Sequence, residues 1–420
     1  MTKLRTLRKF LAIAPIAMGF QPLSPLHADV VTDWNVTALA ATAVPANSIL
    51  QSRVLAIVHG AIYDAARAID PKGPAYAVEL KAPAGTSVEA AVAAAAHGTL
   101  ARLAPAQRQA LDAALSASLS RIPDGPAKSD GIDLGERIAE RSVALRGSDQ
   151  SDTKVSFTPK PGPGLYQVTL PHSMPAILPH WGSVTPFVLR TRSGLEFKGP
   201  PAITSVEFAR DFEEVKSAGA RDSATRTADQ TAAAVFWTVQ TAVPWHAAAR
   251  AASAAKGLSV LENAKLFAIL SMATADSQIV AFDEKYRTPH WRPITAIRAA
   301  ASLNVASLQG DPGWEPLLGT PPHPEYPSAH AIFSGAAEAV LTKFFGSDAV
   351  QVSVTFPPLF GITRTYSRFS QITEEVDNAR VWGGVHFRCA DEDGSAVGRK
   401  IGEIALRDFP RPPDAIIAGP

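Results

Sequence analysis

LSVLENAKLFAILSMATADSQIVAFDEK, residues 258–285, reads as one long apolar helix running from Leu258 to about Lys285. Asp276 and Asp283 share a face of it, and a buried carboxylate needs a partner. One of the two is expected to pair with an arginine of the site assembled below. Working downstream, helical patterning covers Pro293–Leu303, Ser328–Phe345, Ser367–Trp382 and Asp391–Arg407. Upstream, it resumes from about Ser205. Earlier still, residues 47–147 read as a run of Ala-rich amphipathic helices. Val54, Ile57, Val58, Ala61, Ile62 and Ala65 make one apolar face, and further helices are expected at Val88–Leu103, Ala106–Ile122 and Gly131–Leu145. Pro123-Asp124-Gly125 breaks two of these apart. Strands are expected to be short at most, and no repeat of fixed period is present. The sequence therefore predicts an all-α fold, helical bundles around one site, with the chemistry in the C-terminal bundle of residues 205–408.

Residues 148–201 change character, with nine prolines spaced among Trp181, Phe187 and Phe197. A solvated linker has little use for aromatics, so this stretch is expected to be an irregular arm packed over the core, able to wall a pocket. At the N-terminus, Lys3, Arg5, Arg8 and Lys9 precede a short apolar run from Phe10 to Phe20, and Ala28 offers a small residue for cleavage. That layout predicts a signal peptide at residues 1–28 and one exported helical domain at 29–420, periplasmic or secreted. No stable membrane span is expected.

Of 420 residues, 46% are hydrophobic and 19% charged, an ordinary globular balance, and the formal net charge is +1. No broad basic surface points to nucleic acid, so any attraction for anions must be local. The single cysteine, Cys389, excludes an intramolecular disulfide and a Cys-based metal site, and reads as a small packed hydrophobe. Large apolar helical faces are compatible with a homodimer without requiring one.

Three segments supply such local attraction: Lys285-Tyr-Arg-Thr-Pro-His-Trp-Arg292-Pro293, Pro327-Ser328-Ala329-His330, and Ala379-Arg380-Val-Trp-Gly383-Gly384-Val-His386. A tetrahedral oxyanion needs several fixed positive donors, and the planar fork of arginine gives paired hydrogen bonds. Lys285, Arg292 and Arg380 offer three charges. Ser328 is an N-cap type after a proline, and the N–H groups of a helix start attract anions. Gly383-Gly384 should end the helix that carries Arg380 and leave His386 on irregular backbone. His290 and Trp291 are expected either to border the pocket, where they could meet a small anion such as halide, or simply to pack, while His323 and Glu325 read as supports of the loop before Ser328.

In this order and spacing the motifs resemble the superfamily that joins type 2 phosphatidic acid phosphatases, bacterial class A acid phosphatases and vanadium-dependent haloperoxidases. Trp291 before Arg292-Pro293, His323-Pro-Glu-Tyr326 before Pro327, and Gly383-Gly-Val-His-Phe387 look most like its soluble haloperoxidase-like branch. The specific motifs span about 285–391. The resemblance implies that Lys285, Arg292, Arg380, Ser328 and the N–H of Ala329 hold the oxyanion, and that His330 is the acid–base residue. It further implies that His386 ligates vanadate as cofactor, with hydrogen peroxide and halide as substrates. The alternative within the same superfamily is a phosphatase without cofactor, cleaving a phosphate ester through a phosphohistidine at His386. A binding protein with a decayed site would have lost a histidine, and both His330 and His386 are present. This chain departs from the pattern in three places. Ala329 replaces a glycine and brings a Cβ toward the oxyanion, Ala379 replaces a serine, and Ala390 occupies the slot of the acidic residue four positions past the last histidine. Asp391, one further on, is a doubtful substitute for that acid.

Overall fold

The computed structural model describes residues 29–43, 47–169, 173–238, 240–356 and 361–411. The expected export segment, residues 1–28, lies outside them. Five helices open the fold: α1 (Val30–Ala41), α2 (Ser48–Ile69), α3 (Val88–Leu103), α4 (Arg108–Leu119) and α5 (Pro126–Leu145). After the Pro-rich arm come α6 (Val206–Ala218), α7 (Ala228–Phe236), α8 (Ala242–Lys256), α9 (Val260–Arg287) and α10 (Pro293–Ala299). The C-terminal part holds α11 (Ala329–Phe345), the hairpin β1 (Ala349–Phe356) and β2 (Ile362–Arg368), α12 (Phe369–Trp382) and α13 (Arg388–Asp408). The fold is mostly helical, as the patterning requires.

Local chemistry sets the boundaries. Ser259 and Glu262 form a capping box at the start of α9, as Thr227 and Gln230 do for α7. Helix α1 was not legible in the apolar pattern; it starts at a reciprocal cap between Asp29 and Thr32. The helix expected over Ala106–Ile122 begins as a 3-10 turn, Pro105–Gln107, and ends at Leu119. The one expected over Pro293–Leu303 likewise tightens into a 3-10 turn at Ala300–Ser302. The two strands form one short hairpin, within the expectation of short strands at most. Val350, Val352 and Val354 alternate with exposed Gln351, Ser353 and Thr355, a period of two that selects a strand. Ser353 and Thr355 pair by hydroxyl with Thr365 and Thr363 across the outer face. Because β2 runs through Arg368, α12 begins at Phe369 and not at Ser367.

Helix α9 is the axis. It is long and apolar enough to cross a membrane by composition, yet 94% of its apolar window is buried inside the protein, against α2, α11 and α13. Its Asp276 accepts from the backbone N–H groups of Phe187, Val188 and Leu189 at 2.6–2.8 Å, so it anchors the arm. Asp64 on α2 does the same for Tyr76, Ala77 and Val78. Asp283 pairs with Arg192 and Arg287. Neither α9 carboxylate reaches a site arginine, which corrects that expectation: the face they share looks toward the arm.

The arm is packed, with Trp181 and Phe187 buried. It hydrogen-bonds the site segments directly. Tyr166 N donates to Pro289 O at 2.8 Å, Trp291 N to Gly164 O at 3.0 Å, and Ile177 N to Pro322 O at 2.9 Å. It also lines a surface pocket of about 360 Å³ with Arg192, Leu195 and Phe197 against Val280 and Glu284 of α9.

Candidate oxyanion-binding active site

Each of the three segments ends or starts a helix, which brings their polar groups together at one end of the C-terminal bundle. Lys285 lies in the last turn of α9, Arg292 is the N-cap of α10, Ser328 the N-cap of α11, and Arg380 lies in the last turn of α12. His330 is the second residue of α11. Gly384 closes α12 with φ 74°, and a Cβ there would sit 2.4 Å from Gly219 O, so only glycine fits the turn. His386 follows on the loop between α12 and α13. Ser328 N donates to Ala390 O at 3.0 Å, tying the first turn of α13 to the start of α11, and Leu318 N donates to Gly383 O at 3.0 Å, tying the end of α12 to the segment before α11.

Lys285, Arg292, Ser328, His330, Arg380 and His386 come together; five of them are nearly shut off from water, and His330 is half-buried. Lys285, Arg292 and Ser328 are fully buried, and Arg380 and His386 nearly so. Arg292 donates to the backbone oxygens of His323 and Val385 at 2.9 and 2.8 Å, with Nη1 also 3.3 Å from His386 Nε2. Arg380 donates through Nη1 to Trp237 O at 3.1 Å, while its Nε is buried without a partner. His330 Nε2 is likewise buried and unpartnered. Ser328 accepts from Ala331 N at 3.4 Å, and the N–H groups of Ala329 and His330 have no partner within the helix, as at any helix start.

Burial sets the electrostatics. Desolvation first, then the charge of Arg292, Lys285 and Arg380, holds His386 well below the ordinary histidine range. His330 is held down by burial and then by Arg380, Lys285 and Arg292. Burial lowers Arg292 and Arg380 to about 10, still charged at neutral pH. Lys285 is pulled well down by burial and by Arg292. Its surroundings oppose that: Nζ donates to the carbonyls of Pro324, Glu325 and Pro327, and three acceptors match the three donors of an ammonium. The charged form is the one this loop is built around. Lys285 thus braces residues 324–327 and lends its charge to the cradle through the loop it holds.

Several residues take places that sequence alone did not give them. Glu325 is fully buried and accepts from His386 Nδ1 at 2.8 Å, from Phe387 N at 3.0 Å and from His290 Nδ1 at 3.3 Å. Asp391 is also buried, but its carboxylate does not reach His386; burial and then Asp377 push its pKa well above the usual range. His323 Nδ1 lies 3.1 Å from Arg292 Nη2. Trp291 packs into a core with Phe208 and Phe387. The Trp237 carbonyl contributes through backbone, for which no side-chain signal exists.

An unpartnered buried arginine N–H, an unpartnered histidine nitrogen, a free helix start and a second histidine nitrogen facing an arginine make a set suited to a tetrahedral oxyanion such as vanadate or phosphate.

Residues 265–412 match the family described as the VCPO second helical-bundle domain. The chain is 33% identical over 92 residues to the vanadium chloroperoxidase of Curvularia inaequalis, a stretch that covers 20% of this chain and 14% of that protein. The structure is similar to that of a bacterial vanadium-dependent iodoperoxidase, with TM-score 0.77 and 24% identity, covering 90% of this chain and 94% of the other. It is also similar to an apo-type bacterial vanadium-dependent chloroperoxidase, with TM-score 0.70 and 17% identity, covering 86% and 93%. This chain thus has the vanadium haloperoxidase fold, and its residues 265–412 are similar to the second helical-bundle domain of the vanadium chloroperoxidase type.

Proposed function

We propose that this protein is a vanadate-dependent haloperoxidase that oxidises halide with hydrogen peroxide. The observation that carries the reading is His386: its Nδ1 is taken by Glu325, and its Nε2 faces Arg292 among the buried cations. Arg292, Arg380, Ser328 and the N–H of Ala329 would hold vanadate, with His386 Nε2 as its protein ligand and Lys285 supplying charge. When bound, vanadate supplies the Lewis acid that activates peroxide toward halide. His330, kept neutral by burial, offers Nε2 as the base that takes a proton from incoming peroxide. Fixed donors in a dry site stabilise negative charge without reorganising. The names of the similar proteins support the same reading. Export to the periplasm or the medium belongs to this proposal and rests on the sequence of residues 1–28.

A phosphatase would use the same cradle, with His386 as nucleophile. The deciding measurement is bromination of a dimedone-type acceptor by the purified protein with peroxide and bromide, orthovanadate being titrated from zero. Saturable vanadate dependence that disappears in His386→Ala is expected. Absence of bromination at every vanadate level, together with aryl phosphate hydrolysis that vanadate inhibits, would overturn the haloperoxidase reading in favour of the phosphatase.

A further inference from the structure

A histidine that binds an electrophilic centre through one nitrogen needs its other nitrogen held, because that second bond fixes both tautomer and ring direction. In this chain the position four residues past His386 is Ala390, which carries no acceptor, and Asp391 does not contact the ring. The acceptor comes from elsewhere. Glu325 Oε1 lies 2.8 Å from His386 Nδ1 and also receives Phe387 N at 3.0 Å, so one oxygen fixes both the ring and the backbone beside it. Oε2 faces His290 Nδ1 at 3.3 Å, and the Glu325 carbonyl accepts from Lys285 Nζ at 2.9 Å. One residue, just ahead of the second segment, therefore joins the first segment to the third.

The other face of the ring gives the proton's place independently. A guanidinium has donors only. With Arg292 Nη1 at 3.3 Å, His386 Nε2 must be the acceptor, which leaves the proton on Nδ1, where a carboxylate takes it.

We propose that Glu325 is the positioning residue of His386, standing in from the preceding loop for the acid that Ala390 lacks, and holding the Nδ1–H tautomer so that Nε2 stays unprotonated toward the oxyanion. This rests on His386 being the oxyanion ligand. Loss of such a supporting partner typically weakens metal-group binding by about 10–100-fold.

The test uses the full chain, 15N-labelled at histidine and free of vanadate, with the His386 signals assigned by their loss in His386→Gln. The spectrum is expected to show His386 protonated at Nδ1, and Asp391→Asn is expected to leave that tautomer in place. Orthovanadate titration should show Glu325→Gln binding at least tenfold more weakly, with Glu325→Asp, which keeps the charge, recovering part of the loss. A wild-type His386 protonated at Nε2 would overturn the proposal. So would Glu325→Gln binding vanadate within twofold of wild type, or a tautomer change in Asp391→Asn. If Glu325→Gln does not fold, the wild-type tautomer and the Glu325→Asp titration decide. Vanadate binds a phosphatase cradle of this shape as well, so these readouts stand apart from bromination. Missing bromination with the expected tautomer and affinities would sink the haloperoxidase reading and leave the role of Glu325 intact.

Discussion

Arg380 holds its guanidinium in place by one hydrogen bond, to the Trp237 carbonyl, and keeps Nε buried with nothing to donate to. A planar fork held that way is ready for two parallel bonds to an oxyanion, which a lysine ammonium cannot reproduce. Arg380→Lys is expected to weaken orthovanadate and phosphate binding by about 10–100-fold, the worth of one charged hydrogen bond of roughly 1.5–3 kcal/mol, with little change in the urea midpoint. Isothermal titration beside urea unfolding checks both halves; unchanged affinity would remove Arg380 from the cradle. At this scale the sequence was informative where side chains carry the chemistry and recur in spaced motifs, as Lys285, Arg292, Ser328, His330, Arg380 and His386 do. It was silent where the partner is chosen by folding. Glu325 and His386 are 61 residues apart, and nothing in either segment names the other. Lys285 was legible as a site cation but not as the brace of three carbonyls, because backbone acceptors leave no trace in residue type.

Among elements, the pairing of α11 with α13 decides where the cradle sits, since α11 starts at Ser328 and α13 begins two residues after His386. The two helices approach so closely that a Cβ on Gly398 would lie 2.2 Å from Ile332 O, and one on Gly335 2.2 Å from Ser395 O. Backbone cannot yield there as a flexible side chain would. Gly398→Ala is expected to cost about 1–3 kcal/mol, the usual range for overpacking, and to loosen anion binding by prising Ser328 from the Ala390 carbonyl. Gly319→Ala, where a Cβ meets nothing within 4 Å, is the matched control. Equal urea midpoints for the two variants would show that the helix spacing is not set there. The helices themselves were largely readable from apolar period and caps. Their ends shifted where a 3-10 turn or a strand took over, as at Ala300–Ser302 and Ser367, because the apolar period does not distinguish a tight turn from an α turn.

For the molecule as a whole, buried carboxylates fasten irregular backbone to the helices: Asp276 holds the arm to α9, and Asp64 holds residues 76–78 to α2. Burial raises Asp276 to about 6 against the pull of three backbone N–H groups, and Asp64 behaves alike. A raised carboxyl pKa means the native state holds a proton that the unfolded chain has released. Its contribution is therefore full below the ordinary value of 3.8 and is lost as pH rises through about 6. Buried neutral histidines such as His59, lowered to about 3, act in the opposite sense, so the total curve hides each group. The difference between wild type and Asp276→Asn isolates one. The penalty of that substitution is expected to shrink by about 2 kcal/mol between pH 4.5 and 7, measured by urea unfolding at both values. A penalty that grows with pH would mean the three N–H groups outweigh burial. The Pro-rich arm was recognisable as packed from its aromatics, but its fastening to Asp276 was not. The apolar face of α9 hides which element its carboxylates meet.

Among the described residues, none of the ion pairs includes Arg292, Arg380 or Lys285; the protein surrounds these cations with carbonyls and histidines. Any oxyanion that enters supplies the missing counter-charge, and binding to the native state alone stabilises it in proportion to the logarithm of ligand concentration. The buffer would then be part of the protein's heat resistance: phosphate is expected to toughen the molecule while occupying the place that the proposed function gives to vanadate, so the most durable preparation and the most active one would be different preparations.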